Sequence, residues 1–307
     1  MIATVVSKKS RSRRASAEAA EAGPRPRSFV KWAGGKRQLL PELLKRVPRS
    51  WRADRDRYYE PFVGAGSFYW ELAPRWAHLN DLNSELVVSW QVVRDDVAGL
   101  VGVLKDIEEA YRKDPEHLFL QYRSLAPSLL SPAERAARFI FLNKTCFNGL
   151  YRVNSNGVFN VPWGKNPKAT VCDADNLEAC ARRLQDSVAS ITLGDFSLMR
   201  DMPQGSLVYL DPPFSPLTKT ANFTSFTAEK FRREDQERLV SYAAELAGAG
   251  VHVIASQSCD EDVVDLYRDE GFRCDLVPAV RAINCRGYGR GVVGEYIISS
   301  GGRTHAI

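Results

Sequence analysis

The sequence has 307 residues, 44% hydrophobic and 26% charged, which is ordinary globular usage for a chain long enough to bury a large core without disulfides or structural metal. Its six cysteines include no C-x-x-C pair and none at zinc spacing from histidine, so neither a disulfide framework, a metal site nor a catalytic cysteine is expected. No apolar run reaches the ~18 residues of a membrane helix, and the N-terminus lacks a signal-peptide core; a soluble cytoplasmic protein without membrane contact is expected. The net charge of +5 resides wholly in residues 1–27, which hold seven basic and two acidic side chains. This Ser/Ala/Arg/Pro-rich segment cannot bury enough apolar surface to fold alone. It reads either as an electrostatic arm for a polyanion or as a solvated extension.

Folded structure is expected from Ser28. Residues 36–47 place Leu39, Leu40, Leu43, Leu44 and Val47 on one helical face, with Pro41 in the first turn. YYEPF (58–62) reads as a strand entering the glycine turn VGAGS, and AHLND (77–81) as a strand ending on Asp81. Residues 84–110 carry a helical pattern. From 111 to 185 helical stretches lead to a hairpin signal, Asn156-Gly157 between LYRVN and VFNV. Strands then follow at 189–193, ending in Gly194-Asp195, and at 206–210, ending in Asp211. A helix is expected over 228–247, a strand over 251–255, a helix over 261–270 and closing strands over 272–277 and 292–298. Strands alternating with helices argue for an α/β fold with a mostly parallel sheet covered on both faces.

Asp81, Asp195 and Asp211 each follow a predicted strand, and Glu60 flanks the glycine turn. Ligands of open α/β sheets bind beyond the carboxyl ends of the strands, so these acids should converge on one crevice. Gly64 and Gly66 allow close backbone approach to a ligand, although a tight strand–helix turn explains them equally well. The sharpest motif is Asp211-Pro212-Pro213-Phe214. Proline biases Asp211 to extended backbone and removes N–H donors, leaving a stiff turn that presents a carboxylate, free carbonyls and an aromatic ring. Such a turn suits a planar ligand carrying an amino group. A strand exit capped by prolines is the plainer alternative.

Several ordered blocks accompany it: FVKWAGGK (29–36), EPFVGAGSF (60–68), LNDLN (79–83), the long block 141–164, GDF (194–196), PLTKTANFTSF (216–226) and VGEYII (293–298). With them the chain resembles the Dam-like, D12-type DNA adenine-N6 methyltransferases over about residues 29–299. The resemblance implies a Rossmann-like S-adenosylmethionine-dependent methyltransferase sheet (28–110 and 186–307) with an inserted helical and β-hairpin target-recognition domain (111–185), preceded by a basic tail (1–27). It implies cofactor contacts from Trp32, Lys36, Phe62, Gly64, Gly66, Asp81, Asp195, Phe196 and Asp211. Asp211, Pro212, Pro213 and Phe214 would hold the target adenine, flipped from the duplex and methylated without a covalent enzyme intermediate. Many relatives carry Tyr at position 214; Phe keeps the stacking.

For double-stranded DNA the resemblance points to Lys31, Arg152, Asn154, Asn156 and Lys165, and to Lys219 and Asn222 in a loop that closes over the base. Lys31 matches a position that contacts the first guanine of GATC, a contact that suits guanine's acceptors. Asn156 stands where well-known members carry arginine, and before Gly157 it reads equally as a turn residue. Gln257 replaces an asparagine common in relatives. Arg281, Arg286 and Arg290 form a glycine-rich loop suited either to phosphates or to solvent, and Tyr151 and Trp163 suit either base stacking or the core. The expected setting is a monomer on duplex DNA in a bacterial or phage-infected cytoplasm, alone or beside a restriction endonuclease. Rival readings are methylation of RNA adenine or cytosine N4, or a non-catalytic DNA-binding protein on the same scaffold.

Overall fold

A computed structural model describes residues 25–154, 156–213, 231–280 and 292–301. Phe214, Lys219, Asn222, the arginine loop 281–291 and residues 1–24 lie outside the described residues. Seven strands form one sheet: β1 (Arg57–Glu60), β2 (Trp76–Asp81), β3 (Ala189–Leu193), β4 (Leu207–Leu210), β5 (His252–Ser258), β6 (Arg273–Val280) and β7 (Val292–Ser299). Their order is β3-β2-β1-β4-β5-β7-β6. The first five are parallel, and β7 runs antiparallel to both neighbours. Strand order reverses between β1 and β4, so the sheet opens a crevice at their carboxyl ends. Glu60 and Asp211 stand on either side of it.

Alternation along the strands feeds two cores. Tyr58, Leu207 and Tyr209 pack on one face; Tyr59, Val208 and Leu210 pack on the other. Burial on both faces explains why SLVYL reads as a continuous apolar run. Helices α8 (Arg233–Gly248) and α9 (Glu261–Asp269) cover the second face. The first carries α2 (Ser67–Leu72), α3 (Ser84–Asp95), α4 (Val97–Lys113), α5 (Pro115–Ser124), α6 (Pro132–Thr145) and α7 (Ala174–Asp186). Tyr111, Phe119, Phe139 and Phe141 thus join the segment 111–185 to the same core as the sheet. Among the described residues no helix is long and apolar enough to cross a membrane.

Three elements depart from the sequence expectation. The helix expected over 36–47 is only α1 (Leu40–Leu44). Residues 36–39 turn instead, with Lys36 buried, and Pro48 discourages helical extension beyond Val47. The helical stretch 84–110 is two helices. Asp96 leaves the helical region (φ −145°) and its carboxylate accepts from the Gly99 N–H, capping α4. The hairpin is reduced to one bridge, Val153 to Phe159. Beyond it the second arm turns to the end of α6, where Trp163 bridges Cys146 and Phe147 N–H donates to the Pro162 carbonyl.

Candidate active site

A cavity of about 250 Å³ occupies the switch point. Its walls come from the loop before α1, the β1–α2 turn, the ends of β2, β3 and β4, and the start of α8. The four acids expected to converge, Glu60, Asp81, Asp195 and Asp211, all line it.

The glycine turn is held from both sides. Val63 N–H donates to the Asn80 carbonyl at 2.8 Å, and Gly64 N–H to Asp81 Oδ2 at 3.0 Å. Gly64 and Gly66 adopt φ of +47° and +64°, where only glycine is unstrained. A Cβ on Gly64 would come within 2.8 Å of the Trp32 ring, and one on Gly66 within 2.6 Å of Trp90. Trp32 in turn stacks on Tyr151, with centroids 5.9 Å apart. Glycine at both positions lets the turn pack against these indoles, and the turn itself lines the cavity.

Asp81 also accepts from Asn83 N–H at 2.9 Å. Burial pushes its carboxyl up to about 6, against the pull of these backbone donors. Asp195 Oδ1 accepts from Ser197 N–H (3.0 Å), Ser197 Oγ (2.5 Å) and Arg238 Nη2 (2.9 Å). Burial raises its carboxyl, but the Ser197 bonds and Arg238 outweigh it and the net shift is downward. Phe62, Phe196 and Phe231 form an aromatic cluster, with centroids 5.4 to 6.3 Å apart. Arg238 lies over the Phe196 ring at 5.2 Å. Neither Phe231 nor Arg238 carries a local sequence signature that marks it for this cavity.

At the other end of the cavity, Lys36 Nζ lies 2.9 Å from Asp211 Oδ1 and 3.1 Å from Glu295 Oε1, and donates to the Gly34 carbonyl at 2.8 Å. Expected as a cofactor contact, Lys36 thus directs its ammonium at two carboxylates. Burial alone would lower its pKa; Asp211 and then Glu295 reverse that to a net rise. Burial raises the Asp211 carboxyl, with Lys36 pulling it back. Glu60 is buried beside them and accepts from Tyr58 OH at 2.7 Å; burial lifts it well above the usual carboxylate range. Pro212 and Pro213 continue the wall. Gln257 is buried and is not among the described residues that line the cavity; its amide donates to Gln236 on α8 at 2.9 Å.

Residues 32–283 match the family model of the D12 class N6 adenine-specific DNA methyltransferases. The chain belongs to this family. It is 37% identical, over 90% of its length and 96% of the relative's, to a type II methyltransferase of Lactococcus lactis subsp. cremoris. It is 36% identical to a type II methyltransferase of Methanocaldococcus jannaschii (84% and 93% of the two chains). It is 32% identical to the DNA adenine methylase of Escherichia coli K12 (75% and 80%). It is therefore an adenine-specific DNA methyltransferase whose methyl donor is S-adenosylmethionine. The residues present fit that donor: an open glycine turn, a carboxylate beside it and an aromatic cluster beyond.

Of the residues expected to contact DNA, Lys31 is exposed, but its backbone is fixed. Buried Asn143 accepts from Lys31 N–H at 2.7 Å and donates to the Lys31 carbonyl at 2.7 Å and the Gly149 carbonyl at 3.1 Å. Sequence reasoning missed Asn143. Arg152 Nε donates to Asn160 Oδ1 at 2.7 Å across the reduced hairpin. Asn154 Oδ1 accepts from Asn156 N–H and Val158 N–H, both at 3.0 Å, so its carbonyl builds the turn. Asn156 and Lys165 are exposed. Tyr151 is buried and Trp163 half-buried; the Trp163 indole donates to Tyr111 OH at 2.9 Å.

Proposed function

We propose that this methyltransferase takes an adenine flipped out of a short duplex site into the switch-point cavity, and that the site is GATC. The observation that carries the reading is that the Asp211-Pro212-Pro213 turn opens into the same cavity as the glycine turn and Asp81. S-adenosylmethionine, when bound, supplies a methyl group made electrophilic by its sulfonium. The turn 62–66 with Trp32 would hold its methionine part, Asp81 its ribose hydroxyls, and Asp195 with Phe62, Phe196 and Phe231 its adenine.

The chain's own residues prepare the target. Unpairing and unstacking a base costs a few kcal/mol, which contacts in the cavity must offset. The amino nitrogen of adenine is a weak nucleophile because its lone pair is delocalised into the ring. An Asp211 oxygen and the Pro212 carbonyl accept its two hydrogens and favour a pyramidal nitrogen. The same acceptors stabilise the positive charge that develops there. Fixed placement of the amino group does the rest. Phe214, next in the chain, is assigned by the resemblance to stack on the base.

GATC is favoured by Lys31 at the family's guanine-reading position, held there by Asn143. Somewhat higher identity to two type II methyltransferases than to the Escherichia coli adenine methylase supports a restriction–modification setting over a solitary one. We take the working unit as a monomer on its duplex. Single-molecule sequencing of DNA from cells expressing the chain tests the reading. N6-methyladenine at GATC is expected; another motif overturns the GATC assignment alone, and absence of modified adenine overturns the reading.

A further inference from the structure

Lys36 is only 4% exposed and has carboxylates on two sides, Asp211 after β4 and Glu295 on β7. One carboxylate would balance a buried ammonium. The second leaves the triad with a net negative charge beside the Asp211-Pro212 acceptors. Both carboxylate oxygens lie about 3 Å from the same nitrogen, so they are no more than about 6 Å apart. Paired with Lys36 alone, Asp211 would have most of its charge cancelled and would be a weak acceptor. A second carboxylate divides the ammonium's pull and strengthens Asp211.

We propose that Glu295 is a positioning residue for methyl transfer, acting through Lys36 to aim Asp211 and keep it a strong acceptor for the adenine amino group. The proposal rests on the reading of Asp211 given above. The groups facing Asp211 are Lys36 from the loop before α1, Glu295 from β7, Glu60 at the end of β1 and Tyr209 on β4. Glu60 is bonded to Tyr58, and burial shifts it toward the neutral form, whereas Glu295 contacts Lys36 directly, so Glu295 is the carboxylate that bears on Asp211 through the lysine.

The test is single-turnover transfer to a duplex oligonucleotide carrying the wild type's mapped site, measured as a function of pH, which isolates chemistry from product release. Loss of an anionic neighbour lowers a carboxyl pKa. In Glu295→Gln the acid limb should therefore move to lower pH by about half a unit or more. The plateau rate should fall about tenfold, with S-adenosylmethionine affinity changed less than about threefold. Glu295→Asp keeps the charge but withdraws it by one methylene, so its limb should lie between the other two and gives a second comparison if the Gln variant does not fold. Unmoved limbs, or a loss confined to cofactor affinity, overturn the proposal, because a packing role lowers rates without moving a limb. Undiminished transfer by Asp211→Asn in the same assay would instead overturn the reading of Asp211, and the proposal with it.

Discussion

Gly66→Ala tests whether the β1–α2 turn is as tightly fixed as its contacts require. Gly66 sits at φ +64°, and an alanine there carries about 1–2 kcal/mol of left-handed strain. Its Cβ would also come within 2.6 and 2.9 Å of two Trp90 ring atoms. Trp90 has no room to yield: it is fully buried, stacks on Trp70 at 5.0 Å and donates its indole N–H to the Gly64 carbonyl. Overpacking of this kind adds about 1–3 kcal/mol, for a total loss of about 2–5 kcal/mol. Gly157 is the control. Its φ is +74°, but nothing lies within 4 Å of an added Cβ, so Gly157→Ala should cost only the strain, about 1–2 kcal/mol. Urea denaturation of both variants gives the difference, and calorimetric titration with S-adenosylmethionine should show Gly66→Ala weakened by at least about tenfold. Equal stability losses in the two variants would refute the claim that Trp90 fixes the turn.

Asp81 has its carboxyl raised to about 6 in the fold against an ordinary 3.8, so the folded chain holds a proton that the unfolded chain has released between those values. Stability should therefore fall by roughly 2–3 kcal/mol as pH rises through that window and level off above it; Asp81→Asn should lack this slope in denaturation curves. S-adenosylmethionine affinity should rise through pH 6 in wild type, as the ionised acceptor forms, and stay flat and weak in Asp81→Asn. Asn143→Ala removes three hydrogen bonds to the backbone of Lys31 and Gly149, at a cost of about 2 kcal/mol in stability. It should reduce kcat/KM for DNA much more than affinity for S-adenosylmethionine; equal losses in both would show that Asn143 does not act through Lys31.

What the sequence revealed and what it hid divide along physical lines. The ends of β2, β3 and β4 were legible because strand periodicity is local and a carboxylate follows each strand, and the fold's switch point then brings Asp81, Asp195 and Asp211 together without further information. The glycine turn was legible for the same reason, but not that two indoles enforce it. Lys36 was found in its motif, whereas its pairing with Glu295 was not, since that contact joins the two ends of the chain across the sheet. Asn143, Phe231 and Arg238 were missed because what they touch, the Lys31 and Gly149 backbone for the first and the Phe196 ring for the other two, is set by tertiary packing that leaves no local mark. The hairpin at Asn156-Gly157 was legible and is there, with Val153 bridging Phe159; only its extent was hidden, because Pro162 and Trp163 join the end of α6.

The central claim is that Asp211 holds the reacting amino group, and Asp211→Ala tests it most directly. Lys36 keeps Glu295 as a partner in that variant, so the fold and the glycine turn should survive. Methyl transfer from labelled S-adenosylmethionine to unmethylated duplex DNA should fall by at least about a thousandfold, far more than cofactor affinity does. Transfer by Asp211→Ala within about tenfold of the wild-type rate would contradict the account.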